Sequence, residues 1–498
     1  ALVGRWGPLI SVPLVAAAAA TQPRTGKVLL WAADTATIFD AAGEEDSGNT
    51  ITAVFDPSTG TVISQNLSET RHNMFCPGIS LTSDGEIFVT GGKSSRRVSI
   101  YKSDAGEWVR GPEMVLGRGY HSHTTCSDGR IFVLGGSWSG GLSGKNGEVF
   151  DEGTGVWASL PGCSSTPMLT DDTEGAFASD NHAWLFAWSN GSVFQAGPSS
   201  AINWYMLTEH GSTIPAGSRG DDSDAMNGNA VMYDALHGKI LTLGGSESYK
   251  GCPATNNAHI VTIGDPFTRP LIERLDDMHS ARAFANSVVL PSGDVFISGG
   301  VTWALQWTDV NASLVPEMWS PRTHRFTNMA RSPVPRTYHS FALLLPDATV
   351  LTGGGGLCWK RCEDEKVNHK DVQVYLPPNL FDAATGRLAR RPVILEVSKT
   401  ELLPGDHISL YADEPFIDLV LIRYASATHS INTDQRRIKL SRGQPKHQDR
   451  TDDRPIESWL YNTHLPQDPG VLLPGYWMLF ALNAHGTPSI ATTLRIKV

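Results

Sequence analysis

Two short runs share one pattern of chemistry-bearing residues. Arg118-Gly119-Tyr120-His121-Ser122 and Arg336-Thr337-Tyr338-His339-Ser340 each set a phenol beside an imidazole. A phenol oxygen and an imidazole nitrogen are borderline ligands, and together they suit a tetragonal N,O site of the kind Cu(II) adopts. Zinc would favour several Cys or His at tight spacing, which this chain lacks. The other common signatures are missing: there is no HExxH, no P-loop and no dinucleotide fingerprint. Ser137-Trp138-Ser139-Gly140-Gly141 is a glycine-rich turn, so a serine hydrolase has little support.

The elements that must position these residues repeat along the chain. Tyr120 and Tyr338 each stand 15 residues before the first small residue that ends a short apolar strand. Such strands read Gly-Glu-Ile-Phe-Val-Thr-Gly-Gly at 85–92, Gly-Arg-Ile-Phe-Val-Leu-Gly-Gly at 129–136 and Gly-Asp-Val-Phe-Ile-Ser-Gly-Gly at 293–300. Related copies end at 32–33, 197–198, 244–245 and 353–354, so there are seven in all, about 50 residues apart. That period, with Gly-Gly pairs and later aromatics, matches the kelch type of β-propeller. A β-sandwich with chance Gly-Gly pairs does not account for seven regular copies.

Each blade of such a fold is a small antiparallel sheet, and the inner strands line a central channel. The same count of 15 places Ala17, Cys76, Tyr120, His182, Asn229, Phe284 and Tyr338 at equivalent positions, one per blade. They are expected on one ring at one mouth of the channel. Packing alone would explain any one of them taken singly. Two tyrosines, a cysteine and a histidine on one ring point to a site.

The repeat stops near Tyr375. The fold class is therefore all-β, with a seven-bladed kelch propeller over 1–388 and a C-terminal immunoglobulin-like β-sandwich over 389–498. The sandwich rests on short alternating runs at Val393–Val397, His407–Tyr411, Leu419–Tyr424, Tyr476–Leu482 and Thr492–Val498. The polar segment His447 to Asp453 is expected to be an exposed loop.

Composition narrows the partners. The net charge is −11 (40 Lys and Arg against 51 Asp and Glu), which excludes nucleic acid as an expected partner. The apolar stretch Val12 to Ala20 is too short to span a bilayer, so no membrane anchor is expected. The chain starts at Ala1 without a basic-plus-apolar leader and reads as a processed mature chain. Sequons at Asn66, Asn190 and Asn311 and six cysteines fit secretion into an oxidising compartment.

Longer motifs carry a resemblance. These are His72-Asn73-Met74-Phe75-Cys76-Pro77-Gly78, Arg118-Gly119-Tyr120, Gly135-Gly136-Ser137-Trp138, Ser179-Asp180-Asn181-His182, Tyr338-His339-Ser340, Ala427-Thr428-His429 and Asn432-Thr433-Asp434-Gln435-Arg436-Arg437. They are similar to galactose oxidase and its copper radical oxidase relatives, over essentially the whole chain. The resemblance implies one copper ion and a protein-derived radical cofactor, a Cys76–Tyr120 thioether. It implies that Tyr120, His339 and His429 are equatorial ligands, and that Tyr338 is the axial ligand and the base. Trp138 would shield the radical on Tyr120. His429 would come from the C-terminal domain through a loop entering the channel. Two-electron oxidation of an alcohol then combines a one-electron metal with a one-electron organic partner.

The match is not uniform in the substrate region. Phe39 and Tyr249 are retained. Ala178 stands where galactose oxidase has a sugar-binding Arg, Lys250 where it has Gln, and Trp307 where it has Phe. Losing a forked donor should weaken sugar recognition, and more aromatic surface should favour apolar alcohols. The expected activity is oxidation of aliphatic or benzylic primary alcohols to aldehydes, with O2 reduced to H2O2. Galactose or glyoxal oxidation on the same scaffold is the alternative, and a non-catalytic kelch binding module is the other. Lys250 reads either as a substrate contact or as a solvated charge. The expected partners are a small alcohol and O2, with a monomeric chain and a peroxidase as candidate activator. Cys358 and Cys362 correspond to a family disulfide, with one extra residue between them. Cys126, Cys163 and Cys252 remain, and whether Cys163 pairs with Cys252 stays open. His121 and His123 have no family role and read as structural.

Overall fold

The computed structural model describes residues 2–39, 48–449 and 457–498. No α-helix occurs among them; the only helical turns are short 3-10 segments. Seven sheets of four or five strands form the blades of a propeller. Two further sheets, one of four strands and one of five, form the C-terminal sandwich. The N-terminal strand Arg5–Ser11 pairs antiparallel with Asp371–Leu376, so the two ends of the propeller share one blade and close the ring.

The Gly-Gly pairs seal each blade to the next. The first glycine of the pairs at 91, 135, 244, 299 and 354 has positive φ. A Cβ there would stand 2.1–2.5 Å from a backbone oxygen of the following blade. For Gly354 that oxygen is on Ala16 of the first blade, so the last pair closes the circle. Only glycine tolerates both the approach and the left-handed backbone.

A second device repeats beside it. Arg118, Arg282 and Arg336 are buried, and each donates Nη1–H to the carbonyl of the glycine that ends its own blade's second strand (Gly135, Gly299, Gly354) at 2.8–3.0 Å. Each is neutralised by an acid on the third strand, Glu148, Glu317 or Asp371. Removing one member of a fully buried pair leaves a bare charge in low dielectric, at a cost of about 3–5 kcal/mol. Glu317→Ala is therefore expected to lower the denaturant midpoint markedly while sparing the remote site chemistry. Equilibrium unfolding compared with the wild type checks this.

The hydrogen-bond register moves the equivalent ring by one or two residues in three blades. Gly78 pairs with Thr90, the residue before its Gly-Gly, and so sits two residues after Cys76. By the same rule the ring holds Asn227 in place of Asn229, because the intervening hairpin is longer and bulged. It holds His339 in place of Tyr338, because the run Gly353 to Gly356 obscures which pair is the blade end. In the first blade it holds Ala16 in place of Ala17. The corrected ring has a common backbone. Cys76, Tyr120, His182, Asn227, Phe284 and His339 all have φ between 55° and 65°. Left-handed backbone at non-glycine residues costs of order 1–3 kcal/mol each and clusters at functional sites. Here it turns each carbonyl to its neighbour: Tyr120 N–H donates to Cys76 O (3.0 Å), His182 N–H to Tyr120 O (2.8 Å) and Phe284 N–H to Asn227 O (3.0 Å).

The sandwich reaches into this channel. Its strand Asp418–Arg423 is followed by Ser426–Thr428, which adds to the first blade against Ala18–Thr21. The alanine-rich segment 16–20, which runs into the inner strand Ala18–Thr21, is fully buried, and its small side chains let the intruding strand lie close. The five runs read from the sequence as sandwich strands are all strands, shifted by at most two residues at each end. The segment from His447 differs: Lys446–Gln448 is a short strand paired with Ser458–His464, whose apolar cross-strand neighbours support it. The remainder of that segment, 450–453, lies outside the described residues. Cys76, Cys126, Cys163 and Cys252 are free thiols, so Cys163 and Cys252 do not pair. No helix among the described residues is long and apolar enough to cross a membrane.

Candidate active site

The ring residues of three blades and the intruding loop meet in one buried cluster. The ligand atoms of Cys76, His339 and His429 all lie within 4.8 Å of one another. The Cys76 thiol is 3.2 Å from His429 Nε2. The Tyr120 and Tyr338 hydroxyls are directly hydrogen-bonded, and Tyr249 donates to Tyr338 at 3.2 Å. Tyr120, Tyr338, His339, His429 and Cys76 are each at most 4% exposed.

The hydrogen bonds behind the two imidazoles set which nitrogen is free. His339 Nδ1–H donates to Gly356 O at 2.7 Å, and its Nε2 is buried with no partner. Thr428 donates to Ala17 O at 3.0 Å, so its oxygen must accept the Nδ1–H of His429, 2.7 Å away. Both Nε2 lone pairs then face the cluster. Burial holds both imidazoles neutral: it pushes His339 down to about 3 and His429 well below the ordinary range. Burial likewise raises the Tyr120, Tyr338 and Tyr249 phenols above their usual value, with the neighbouring Cys76 thiol and phenols adding to the effect on Tyr120. Phenols so placed ionise only when a cation brought among them stabilises the phenolate. Two free imidazole nitrogens and two phenol oxygens are a donor set that fits Cu(II).

Trp138 stacks on Tyr120 with ring centroids 4.8 Å apart and an 11° interplanar angle. Above the cluster lies a cavity of about 220 Å³. Phe39, Trp138, Ala178, Tyr249, Lys250 and Trp307 all line it, and Tyr120 forms part of its wall. Lys250 is half exposed and paired with Glu174 at the same cavity, so its charge is already compensated. Sequence reasoning missed Glu174, Phe177, Gln306 and Trp359 in this lining, and it quoted Asn181 only as part of a motif, with no role. Glu174 and Phe177 sit between blades, Gln306 lies in a long connection within one blade, and Trp359 is on a two-residue strand outside the blade sheets, so no periodicity marks them. Thr428 was also missed, although its place just before His429 was the available signal. His121 and His123 share the Thr90 hydroxyl at 2.8 and 2.5 Å on the channel side, apart from the metal-donor cluster.

Comparison with known proteins agrees with this geometry. The family profile described as "Galactose oxidase-like, Early set domain" matches residues 391–496, and "Glyoxal oxidase N-terminus" matches 247–363. A galactose oxidase of Gibberella zeae is 46% identical over 99% of this chain and 71% of its own length. The chain belongs to the galactose oxidase family. A more distant member, an aldehyde oxidase of Vitis pseudoreticulata, is 26% identical over 85% of this chain and 82% of its own. A solved structure, described as a novel fungal alcohol oxidase of the AA5 family in complex with copper, superposes with a TM-score of 0.91. It is 41% identical, with both chains covered in full. This galactose oxidase homologue is thus a copper-dependent oxidoreductase, a copper radical oxidase whose family cofactor is one copper ion with a Cys–Tyr thioether radical.

Proposed function

We propose that this copper radical oxidase converts aliphatic and benzylic primary alcohols to aldehydes, RCH2OH + O2 → RCHO + H2O2. Tyr120, Tyr338, His339 and His429 would hold the copper, and Cys76 would carry the thioether to Tyr120. The observation that carries the reading is the convergence of these five residues beneath an aromatic cavity that lacks a sugar-binding arginine. When bound, copper supplies the acceptor for one of the two electrons and makes phenolates accessible among buried groups. Tyr338 takes the alcohol proton, within reach of the site that Tyr120 shares. Tyr249 holds the Tyr338 hydroxyl in place. Tyr120, made easier to oxidise by its sulfur substituent, would in its one-electron-oxidised form take the hydrogen atom from the alcohol carbon and become a closed-shell phenol. Trp138 covers its ring and keeps water away.

The small Ala178 side chain opens the wall where a guanidinium would read sugar hydroxyls. A site that loses such a donor forfeits discrimination of orders of magnitude. A peroxide-coupled assay of benzyl alcohol, 1-butanol, galactose and glyoxal tests this. The first two are expected to give kcat/KM at least about ten-fold above galactose. Galactose or glyoxal as the best substrate would overturn the substrate assignment. The proposal includes a secreted, monomeric chain activated by a peroxidase. A disulfide and exposed side chains at Asn66, Asn190 and Asn311 are consistent with secretion.

A further inference from the structure

The loop closed by the Cys358–Cys362 disulfide has no part in the reaction described above. Its backbone is fastened to the substrate cavity. Cys358 and Trp359 pair in parallel with Ile38 and Phe39, and Lys360 N–H donates to Phe39 O at 2.7 Å. Phe39 packs on Phe75 at 4.2 Å, and Phe75 on His339 at 5.3 Å. The loop is thereby tied, through two rings, to a donor of the candidate metal set.

Trp359 lines the cavity yet is 45% exposed. A lone exposed apolar residue is ordinary. This indole differs because the strand pairing and the disulfide hold the backbone that carries it, and the Lys360 ammonium lies 5.4 Å from its ring. Little backbone entropy remains to be lost when a ligand ring settles on it. Phe177, 39% exposed, stands at the same cavity. The inner wall, with Trp138 and Trp307, is already aromatic, so a ring entering the cavity meets aromatic faces both inside and at the rim.

We propose that Trp359 is a specificity-determining residue: a stacking surface for the ring of an aryl-bearing primary alcohol whose CH2OH reaches Tyr120 and Tyr338. The proposal rests on the alcohol-oxidase reading above. Aromatic pairs gain over simple area burial at centroid separations of about 4.5–7 Å. An alkyl chain of similar length gains only the area, so Trp359 separates aryl from alkyl ligands more than it strengthens both.

Titration calorimetry on the copper-loaded protein tests this with two probes that are not oxidised, benzamide and butyramide. Benzamide is expected to bind more tightly. Trp359→Ala is expected to reduce the benzamide-to-butyramide affinity ratio about five-fold, and Trp359→Phe to restore most of it. Trp359→Leu, which keeps apolar bulk but no ring, is expected to resemble Trp359→Ala. An unchanged ratio in the Ala and Leu variants, or benzamide binding no tighter than butyramide in the wild type, overturns the proposal. Galactose proving the best substrate in turnover is a separate result and would overturn the alcohol-oxidase reading instead.

Discussion

Tyr120→Phe is expected to yield a folded protein whose peroxide production falls by roughly ten-thousand-fold or more, since a group that acts only as part of a catalytic unit removes nearly all of it. The ring would still stack on Trp138 and occupy the same volume, so packing is retained. What disappears is one donor atom, the hydrogen bond to Tyr338, and an oxidisable phenol. Intact-mass measurement before and after aerobic copper loading gives an independent readout. The wild type should lose two hydrogens as the Cys76 sulfur joins the Tyr120 ring, and the tryptic peptides of both should merge into one species. Phenylalanine cannot be activated in this way, so the variant's mass should stay constant. An unaltered wild-type mass with no peroxide would overturn the assignment of Cys76 and Tyr120 as the cofactor pair.

Asp434→Ala is expected to cost about 3–5 kcal/mol of stability and to weaken copper binding as well. Asp434 lies in the sandwich loop that carries His429, fully buried 3.2 Å from Arg423. Both residues also grip the second blade: Asp434 accepts the Leu81 N–H at 3.3 Å, and Arg423 donates to Leu81 O at 3.2 Å. Leu81 ends the strand Gly78–Leu81 that begins two residues after Cys76. Removing the carboxylate strands a guanidinium in the interior and frees the loop from the strand beside Cys76. Denaturant unfolding reads the stability, and competition against a copper chelator reads the affinity. A loss of stability without any loss of copper affinity would show that the loop's other ties, its pairing with Ala18–Thr21 and the Asn229 and Gln435 hydrogen bonds, suffice to position it.

The propeller and the sandwich were legible because their signals are local. A strand ending in Gly-Gly needs no partner to be recognised, and seven copies fix the circular architecture. The aromatic and cysteine-bearing positions were legible for the same reason, as a constant offset from those glycines. The offset failed at Asn227, His339 and Ala16, where hairpin length or a run of four glycines alters the pairing. Register is set by hydrogen bonds between strands, and no count along one strand contains it.

His429 marks the limit more sharply. Nothing in its spacing relates it to Cys76, 353 residues earlier, and only the motif resemblance brought it forward. The chain alone determined the repeat, the absence of polyanion-binding charge, and the residue types that suit copper. Tertiary structure alone decided which nitrogen of each histidine is free, that Lys250 is neutralised by Glu174, and that Trp359 stands at the substrate cavity. The reason is physical. Tautomer, charge compensation and exposure depend on atoms brought within a few ångströms by blade closure and loop entry, and these neighbours are remote in the chain.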